Sequence, residues 1–174
     1  MASTILTKIV NKKIERVREQ KLAMPLSVLE SSIPELALPR NFSGALWGPS
    51  VRLIAEAKKS SPSKGLLRSP YNPVSLACTY AENGAAAISV LTEADHFDGS
   101  LDHLTAVKNG LGDLGLPVLR KDFIFDPYQV VESRVAGADA ILLIVGILDV
   151  SQIKELLGLC QSLWMQALVE IHSE

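Results

Sequence analysis

The sequence predicts an α/β fold of the (β/α)8 TIM-barrel family, present here as an incomplete barrel of about five βα units. Three observations support this fold class. A strand-then-helix unit repeats along residues 49–174, the strands are near-continuous apolar runs, and charged side chains follow the ends of several strands. Such apolar strands are typical of parallel sheets that are covered on both faces. Repeated βα units with short connections indicate the α/β class.

Residues 1–48 are predicted to form an N-terminal helical extension. Within it, the stretch 4–22 has the spacing of an amphipathic helix. Its apolar stripe contains Ile5, Ile9, Ile14 and Val17, and its opposite face, predicted to be solvated, contains Lys8, Lys12, Lys13, Arg16 and Arg18. Pro25 begins a second short helix that runs to Leu29, and prolines and glycines then mark a connector to the first strand.

Residues 49–174 are predicted to contain the partial barrel. The predicted strands cover residues 52–58, 86–91, 117–121, 140–145 and 167–170. Helices follow the first four strands and begin near Asn72, Ser100, Asp126 and Ser151. Asn72 and Asp126 each precede a proline, as expected for an N-cap followed by a first-turn proline.

Two architectures fit this pattern, a doubly wound open sheet and a barrel. No glycine-rich dinucleotide-binding motif follows any of the predicted strands. Lys58, Lys121 and Glu170 instead end three different strands, which is where barrel active sites lie. This favours the barrel, although five strands are fewer than the eight that a closed barrel needs.

Composition limits the function classes. The chain has 174 residues, is 48% apolar and has a formal charge of −2, with no basic run or nucleic-acid motif. We therefore expect no nucleic-acid partner. No apolar run approaches the length of a membrane span, and no signal peptide is recognisable, so a cytoplasmic protein is predicted. Cys78 and Cys160 are predicted to be reduced thiols within helices.

Charged side chains near the strand ends form the candidate site. Glu56 and Lys58 share one face of the first strand because residues two apart point the same way. By the same spacing, Lys121 follows Leu119 and Glu170 follows Leu168 into the predicted mouth of the barrel. Each residue alone could be an ordinary surface ion-pair partner. Together, two ammonium groups facing two carboxylates can carry out acid–base chemistry on a small anion without a metal.

The chain resembles indole-3-glycerol-phosphate synthase in several long motifs, in order along its length. The first is Ile54-Ala-Glu-Ala-Lys-Lys-Ser-Ser-Pro-Ser-Lys-Gly65, and Ala87-Ile-Ser-Val-Leu-Thr-Glu93 with Phe97-Asp-Gly-Ser100 is similar to the second. Pro117-Val-Leu-Arg-Lys-Asp-Phe-Ile-Phe-Asp-Pro-Tyr-Gln129 is similar to the third strand region. Residues 137–145 and 168–170 match the fourth and fifth strands, and the N-terminal helices correspond to the extension that precedes the barrel in this family.

The resemblance implies a lyase of tryptophan biosynthesis that needs no cofactor. Its phosphosugar–anthranilate substrate, 1-(2-carboxyphenylamino)-1-deoxyribulose 5-phosphate, would become indole-3-glycerol phosphate with loss of carbon dioxide and water. The implied catalytic residues are Glu56, Lys58, Lys121 and Glu170, and the implied substrate-binding residues are Ser61, Phe97, Phe123 and Leu142. Lys121 would be the general acid, with the division of acid roles between it and Lys58 left open. His96, His103 and His172 match no catalytic position.

In this family the barrel continues through three further strands that supply most of the phosphate site. We therefore expect the chain to correspond to an N-terminal portion, with little or no turnover alone and some self-association through the open barrel edge. A half-barrel that works only with a complementary C-terminal chain is one alternative. Another is a phosphosugar isomerase barrel, which the Glu-Ala-Lys ending of the first strand disfavours.

Overall fold

The structure is a computed structural model that describes residues 5–171. Helices α1–α3 precede the sheet and span Ile5–Ala23, Leu26–Ser32 and Phe42–Ala45. The strands β1–β7 span Ile54–Ala57, Ser60–Ser61, Gly65–Leu66, Ala87–Leu91, Val118–Lys121, Ala140–Ile144 and Gln166–Glu170. The remaining helices α4–α8 span Pro73–Glu82, Ala94–Phe97, Leu101–Gly110, Pro127–Val135 and Val150–Ser162. Three short 3-10 turns lie at Ile33–Glu35, Gly112–Leu114 and Val145–Ile147.

Five parallel strands form the main sheet in the order β1-β4-β5-β6-β7. Consecutive strands of this sheet are neighbours, and the chain returns through a helix between them, as in the wall of a barrel. The predicted α/β class, the five strands and the incomplete barrel are therefore confirmed. Within residues 5–171, β1 and β7 are edge strands that pair on one side each.

Local sequence explains where the main helices begin. The side chain of Asn72 accepts a hydrogen bond from the Ser75 amide, and Pro73 occupies the first turn of α4. Asp126 and Asp149 each form a capping box at the start of α7 and α8. Sequence analysis missed α3, α5 and the β2–β3 hairpin, because segments of two to four residues have no readable periodicity.

The two faces of the main sheet pack against different parts of the chain. The face toward helices α4, α6, α7 and α8 is mostly apolar and contains Ile88, Val90, Val118, Ile141 and Leu143, each fully buried. On the inner face, Phe42 of α3 covers Ala87, Leu119 and Ala140 near the amino ends of the strands. Phe42 therefore covers the inner face at the amino ends of the strands, and the carboxyl ends remain open.

Helix α1 departs from the predicted arrangement. Lys13 was expected on the solvated face, but it is only 2% exposed, while Ile5 of the predicted apolar stripe is 56% exposed. Ile9, Lys13 and Val17 are four residues apart, so they share the buried side of the helix. Lys13 is buried because it pairs with Asp122, a long-range contact that helical spacing does not reveal. Thr4, at the start of the predicted helix, lies outside the described residues.

Candidate active site

The strand register brings four charged side chains to the open end of the inner face. Glu56 lies beside Ser89 of β4, and Ser89 lies beside Leu119 of β5, so all three occupy one face. Lys121 follows two residues after Leu119 and ends β5, and Glu170 ends β7. Lys58 comes directly after β1, two residues beyond Glu56. The predicted convergence of charges from three strands is therefore present in the structure.

These four side chains form one mixed-charge cluster. The Lys58 ammonium donates a hydrogen bond to Glu56 Oε1. The Lys121 ammonium lies between two carboxylates, 3.9 Å from Glu56 Oε2 and 3.7 Å from Glu170 Oε2. All four side chains are 31–32% exposed, so solvent and small solutes can reach them. Two ammonium groups and two carboxylates in contact can both donate and accept protons.

An apolar wall adjoins the charges. The rings of Phe97 and Phe123 have centroids 6.3 Å apart, tilted by 38°. With Leu142 they line a pocket of about 150 Å³ that also contains the four charged residues. Seven of the eight residues predicted from the sequence therefore lie at one pocket.

Ser61, the eighth predicted residue, does not line this pocket. It lies in the β2–β3 hairpin, paired with Gly65, and lines a neighbouring pocket with Ser63 and Lys64. Lys58 and Phe97 belong to both pockets. The predicted phosphate contact is thus adjacent to the charged cluster and not within it.

Sequence reasoning missed further lining residues, among them Leu6, Leu91 and Ile144. Leu91 lies beside Lys121 and Ile144 beside Glu170 in the sheet register. A register assigned from the sequence would have identified both residues. Leu6 belongs to α1, and no sequence signal places that helix over the pocket. His96 and His103 do not line the pocket, and His172 lies outside the described residues.

A second charged cluster lies on the opposite face of β5. Arg120 and Asp122 are 1% and 2% exposed, and Lys13 of α1 donates to Asp122 over 2.8 Å. Arg120 also donates to Asp122 and Glu132, at 3.0 Å and 2.9 Å. Burial opposes ionisation of Asp122, but Lys13 and Arg120 outweigh it and hold the pKa of the carboxyl below its ordinary value. Asp122 is therefore ionised at neutral pH.

The fold and the site define a class of protein: an α/β protein of the TIM-barrel class with a mixed-charge pocket at the carboxyl ends of its strands. Comparison with known proteins identifies the family. The family model for indole-3-glycerol phosphate synthase matches residues 6–174. The chain belongs to the indole-3-glycerol phosphate synthase family.

Curated relatives agree with this assignment. An indole-3-glycerol phosphate synthase of Dehalococcoides mccartyi strain CBDB1 is 49% identical over 170 residues, covering 97% of this chain and 66% of the relative. The enzyme of the same name from Roseiflexus sp. strain RS-1 is 48% identical, covering 98% of this chain and 65% of the relative. That of Polaromonas sp. strain JS666 is 48% identical, covering 99% and 66%. The chain therefore spans just under two thirds of the length of these relatives.

Among residues 5–171, no helix combines the length and apolar character that crossing a membrane requires.

Proposed function

We propose that this chain carries the acid–base residues of a carbon–carbon lyase of tryptophan biosynthesis. The reaction would convert 1-(2-carboxyphenylamino)-1-deoxyribulose 5-phosphate to indole-3-glycerol phosphate, releasing carbon dioxide and water. The observation that carries the proposal is the contact of Lys121 with both Glu56 and Glu170 beside an apolar wall. Family membership supports this reaction. We infer the cytoplasm as its compartment.

Each charged residue has a proposed role in this reaction. Lys121 acts as the general acid that protonates the ribulose carbonyl oxygen while the aromatic carbon attacks the carbonyl carbon. Glu56 and Glu170 remove protons and stabilise the cationic intermediates that follow. Lys58 contacts anionic groups of the substrate and is a second candidate for the proton donor in dehydration. Its contact with Glu56 supports a shared proton-transfer role.

The apolar wall and the hairpin have proposed binding roles. Phe97, Phe123 and Leu142 form the slot for the anthranilate ring. Loss of carbon dioxide is favoured when the carboxylate lies in an apolar slot away from water. Ser61 contacts the substrate phosphate from the neighbouring pocket, which shares Lys58 with the charged cluster. No metal or cofactor has a part in this mechanism.

We further propose that this chain has little turnover by itself and needs a complementary C-terminal segment. Within residues 5–171, the inner face is bounded by the edge strands β1 and β7. Phosphate sites of TIM barrels usually lie after the seventh and eighth strands, beyond the five strands described here. The exposed edges are also candidate surfaces for self-association, which native mass spectrometry would detect.

The test measures formation of indole-3-glycerol phosphate by its indole fluorescence in three samples. The first is this chain alone, and the second is this chain mixed with the final third of the Dehalococcoides mccartyi relative. The third, called here the completed enzyme, is this chain fused to that final third. We expect background rates from the first sample and turnover from the third, with the second showing whether a separate chain suffices. An inactive but folded completed enzyme would refute the lyase proposal, and full activity of the chain alone would refute its dependence on a further segment.

A further inference from the structure

Lys121 lies between two residues whose charged groups belong to the buried cluster. Successive residues of a strand point to opposite faces, so Arg120 points away from the pocket while Lys121 lines it. Asp122, directly after β5, contributes to the pocket lining, but its carboxylate is held in the buried cluster by Arg120. The Lys121 carbonyl also accepts a hydrogen bond from the Thr92 amide over 3.1 Å. The backbone that carries Lys121 is therefore held from both neighbouring positions and from Thr92, which directly follows β4.

Asp122 is the centre of the buried cluster. One of its carboxylate oxygens accepts hydrogen bonds from Lys13 Nζ at 2.8 Å, Thr92 Oγ1 at 2.6 Å and Arg120 Nη2 at 3.0 Å. The other accepts from the amide of Phe123 at 2.8 Å. The side chains of Lys13, Arg120 and Asp122 are 0–3% exposed. Asp122 thus links α1, the residue after β4 and the end of β5.

Helix α1 makes two other ion pairs with the same end of the barrel, and both are far more exposed. Arg16 pairs with Asp95 at 2.7 Å and Lys21 pairs with Asp126 at 2.7 Å. The basic side chains in these pairs are 40% and 44% exposed, compared with 3% for Lys13. Of these three basic residues, Lys13 is the one that pairs with Asp122, the residue next to Lys121.

A buried ion pair is a poor source of stability, because desolvating both charges offsets most of their attraction. A buried pair can instead select one geometry, as polar residues in coiled-coil cores do. The buried pair adjoins Lys121, whose ammonium lies 3.7 Å from Glu170 and 3.9 Å from Glu56. Contacts of this length constrain a side chain weakly, so its position depends on the backbone beneath it.

We propose that Asp122, held by Lys13 and Arg120, is a positioning residue that places the Lys121 ammonium between Glu56 and Glu170. Lys13 thereby couples the docking of α1 to the geometry of the proposed general acid. This inference deepens the proposed function and rests on it for the meaning of Lys121. The positioning of Lys121 can be tested without measuring enzyme activity.

The first experiment measures acetylation of individual lysines in this chain by trace-labelled acetic anhydride and peptide mass spectrometry. The measured quantity is the acetylation rate of Lys121 relative to that of Lys154, an exposed lysine on α8. In Lys13→Met we expect the ratio to rise about threefold, because the strand end gains freedom to open. Lys13→Arg retains a cation and should leave the ratio near its original value. Lys21→Met, which removes a more exposed pair from the same helix, should not change it.

Lys13→Met leaves Asp122 without one of its buried cations, which lowers the stability of the folded chain. The double variant Lys13→Met/Asp122→Asn removes both charges of the pair together, and Arg120 keeps Glu132 as its partner. Circular dichroism verifies that it is folded. A raised Lys121 ratio in this folded variant supports the proposal. An unchanged ratio overturns it, because the cluster would then stabilise the fold without controlling Lys121.

The second experiment separates failure of this inference from failure of the proposed function. In the completed enzyme, Lys13→Met should lower kcat about tenfold to a hundredfold and change KM less than twofold. Loss of stability alone would lower the active fraction and be corrected by active-site titration. If the completed enzyme is inactive while the acetylation ratio still rises, the positioning role stands and the lyase proposal fails. If the enzyme is active and neither kcat nor the ratio changes, the positioning role fails alone.

Discussion

The two charged clusters on opposite faces of β5 use the same residue types in different environments. Lys121 on the inner face is 32% exposed and lies 3.7–3.9 Å from its carboxylate neighbours. Asp122 on the outer face is fully buried and accepts hydrogen bonds of 2.6–3.0 Å from Thr92, Lys13 and Arg120. Short buried contacts fix positions, whereas longer exposed contacts leave a charge able to exchange partners. The comparison thus separates side chains that hold the strand end from those that can act on a ligand.

The largest expected effect is on catalysis, from Lys121→Met in the completed enzyme. Because this change removes the proposed general acid, kcat should fall about 10²–10⁴-fold. The free energy of unfolding should change by no more than about 0.5 kcal/mol, since the side chain is partly exposed and weakly held. Steady-state kinetics and urea unfolding measure the two quantities. Lys154→Met on α8 is the control. A Lys121→Met enzyme with normal kcat would show that Lys121 is not the general acid.

The next effect is on stability, from Asp122→Ala in this chain. Removing the carboxylate leaves Lys13 and Arg120 as buried cations without their shared partner. Breaking a buried pair from one side costs about 3–5 kcal/mol, so the urea midpoint should fall far more than it does for Lys121→Met. Equal urea midpoints for the two variants would contradict the view that the Asp122 cluster stabilises the fold and the Lys121 cluster does not.

The Asp122 cluster also has a predictable pH dependence. Because the folded pKa of Asp122 is below its ordinary value, its contribution is present above the unfolded carboxyl pKa of about 3.9. It declines as the pH falls below that value and is gone once the pH is below the lower folded pKa. The stability difference between the unmodified chain and Asp122→Asn should be constant from about pH 7 to 5 and shrink below about pH 4. Urea unfolding at several pH values tests this, and a difference that vanishes near neutrality would contradict it.

The smallest effect is expected from Arg16→Met, which removes an exposed pair between α1 and Asp95. Arg16 donates two hydrogen bonds to this carboxylate, at 2.7 Å and 3.0 Å, yet its side chain is 40% exposed. Solvent screening limits such pairs to about 1 kcal/mol or less. The hydrogen bond from Arg16 lowers the pKa of Asp95, so in Arg16→Met that pKa should return toward its ordinary value. NMR titration of Asp95 measures this, and an unchanged pKa would show that the pair is not formed in solution.

Much of the site was predictable because strand periodicity is local. Residues two apart share a face, so Glu56 with Lys58 and Leu119 with Lys121 could be assigned to one side from spacing alone. The apolar wall came from the family resemblance, and its residues Phe97, Phe123 and Leu142 do line the pocket. Ser61 was assigned to the same site but lines the adjacent pocket, because the β2–β3 hairpin that carries it has no sequence signature.

The sequence by itself determined the α/β class, the five parallel strands, the helix starts at Asn72 and Asp126, and the face of each charged strand residue. These features depend on neighbours within a few positions along the chain. Only the tertiary structure decided that Lys13 is buried, since its partner Asp122 is 109 residues away. Electrostatic pairing outweighed the ordinary preference of a lysine for solvent. Helical spacing could place Lys13 on the same side as Ile9 and Val17, but the carboxylate that allows a charge there is supplied only by the folded chain.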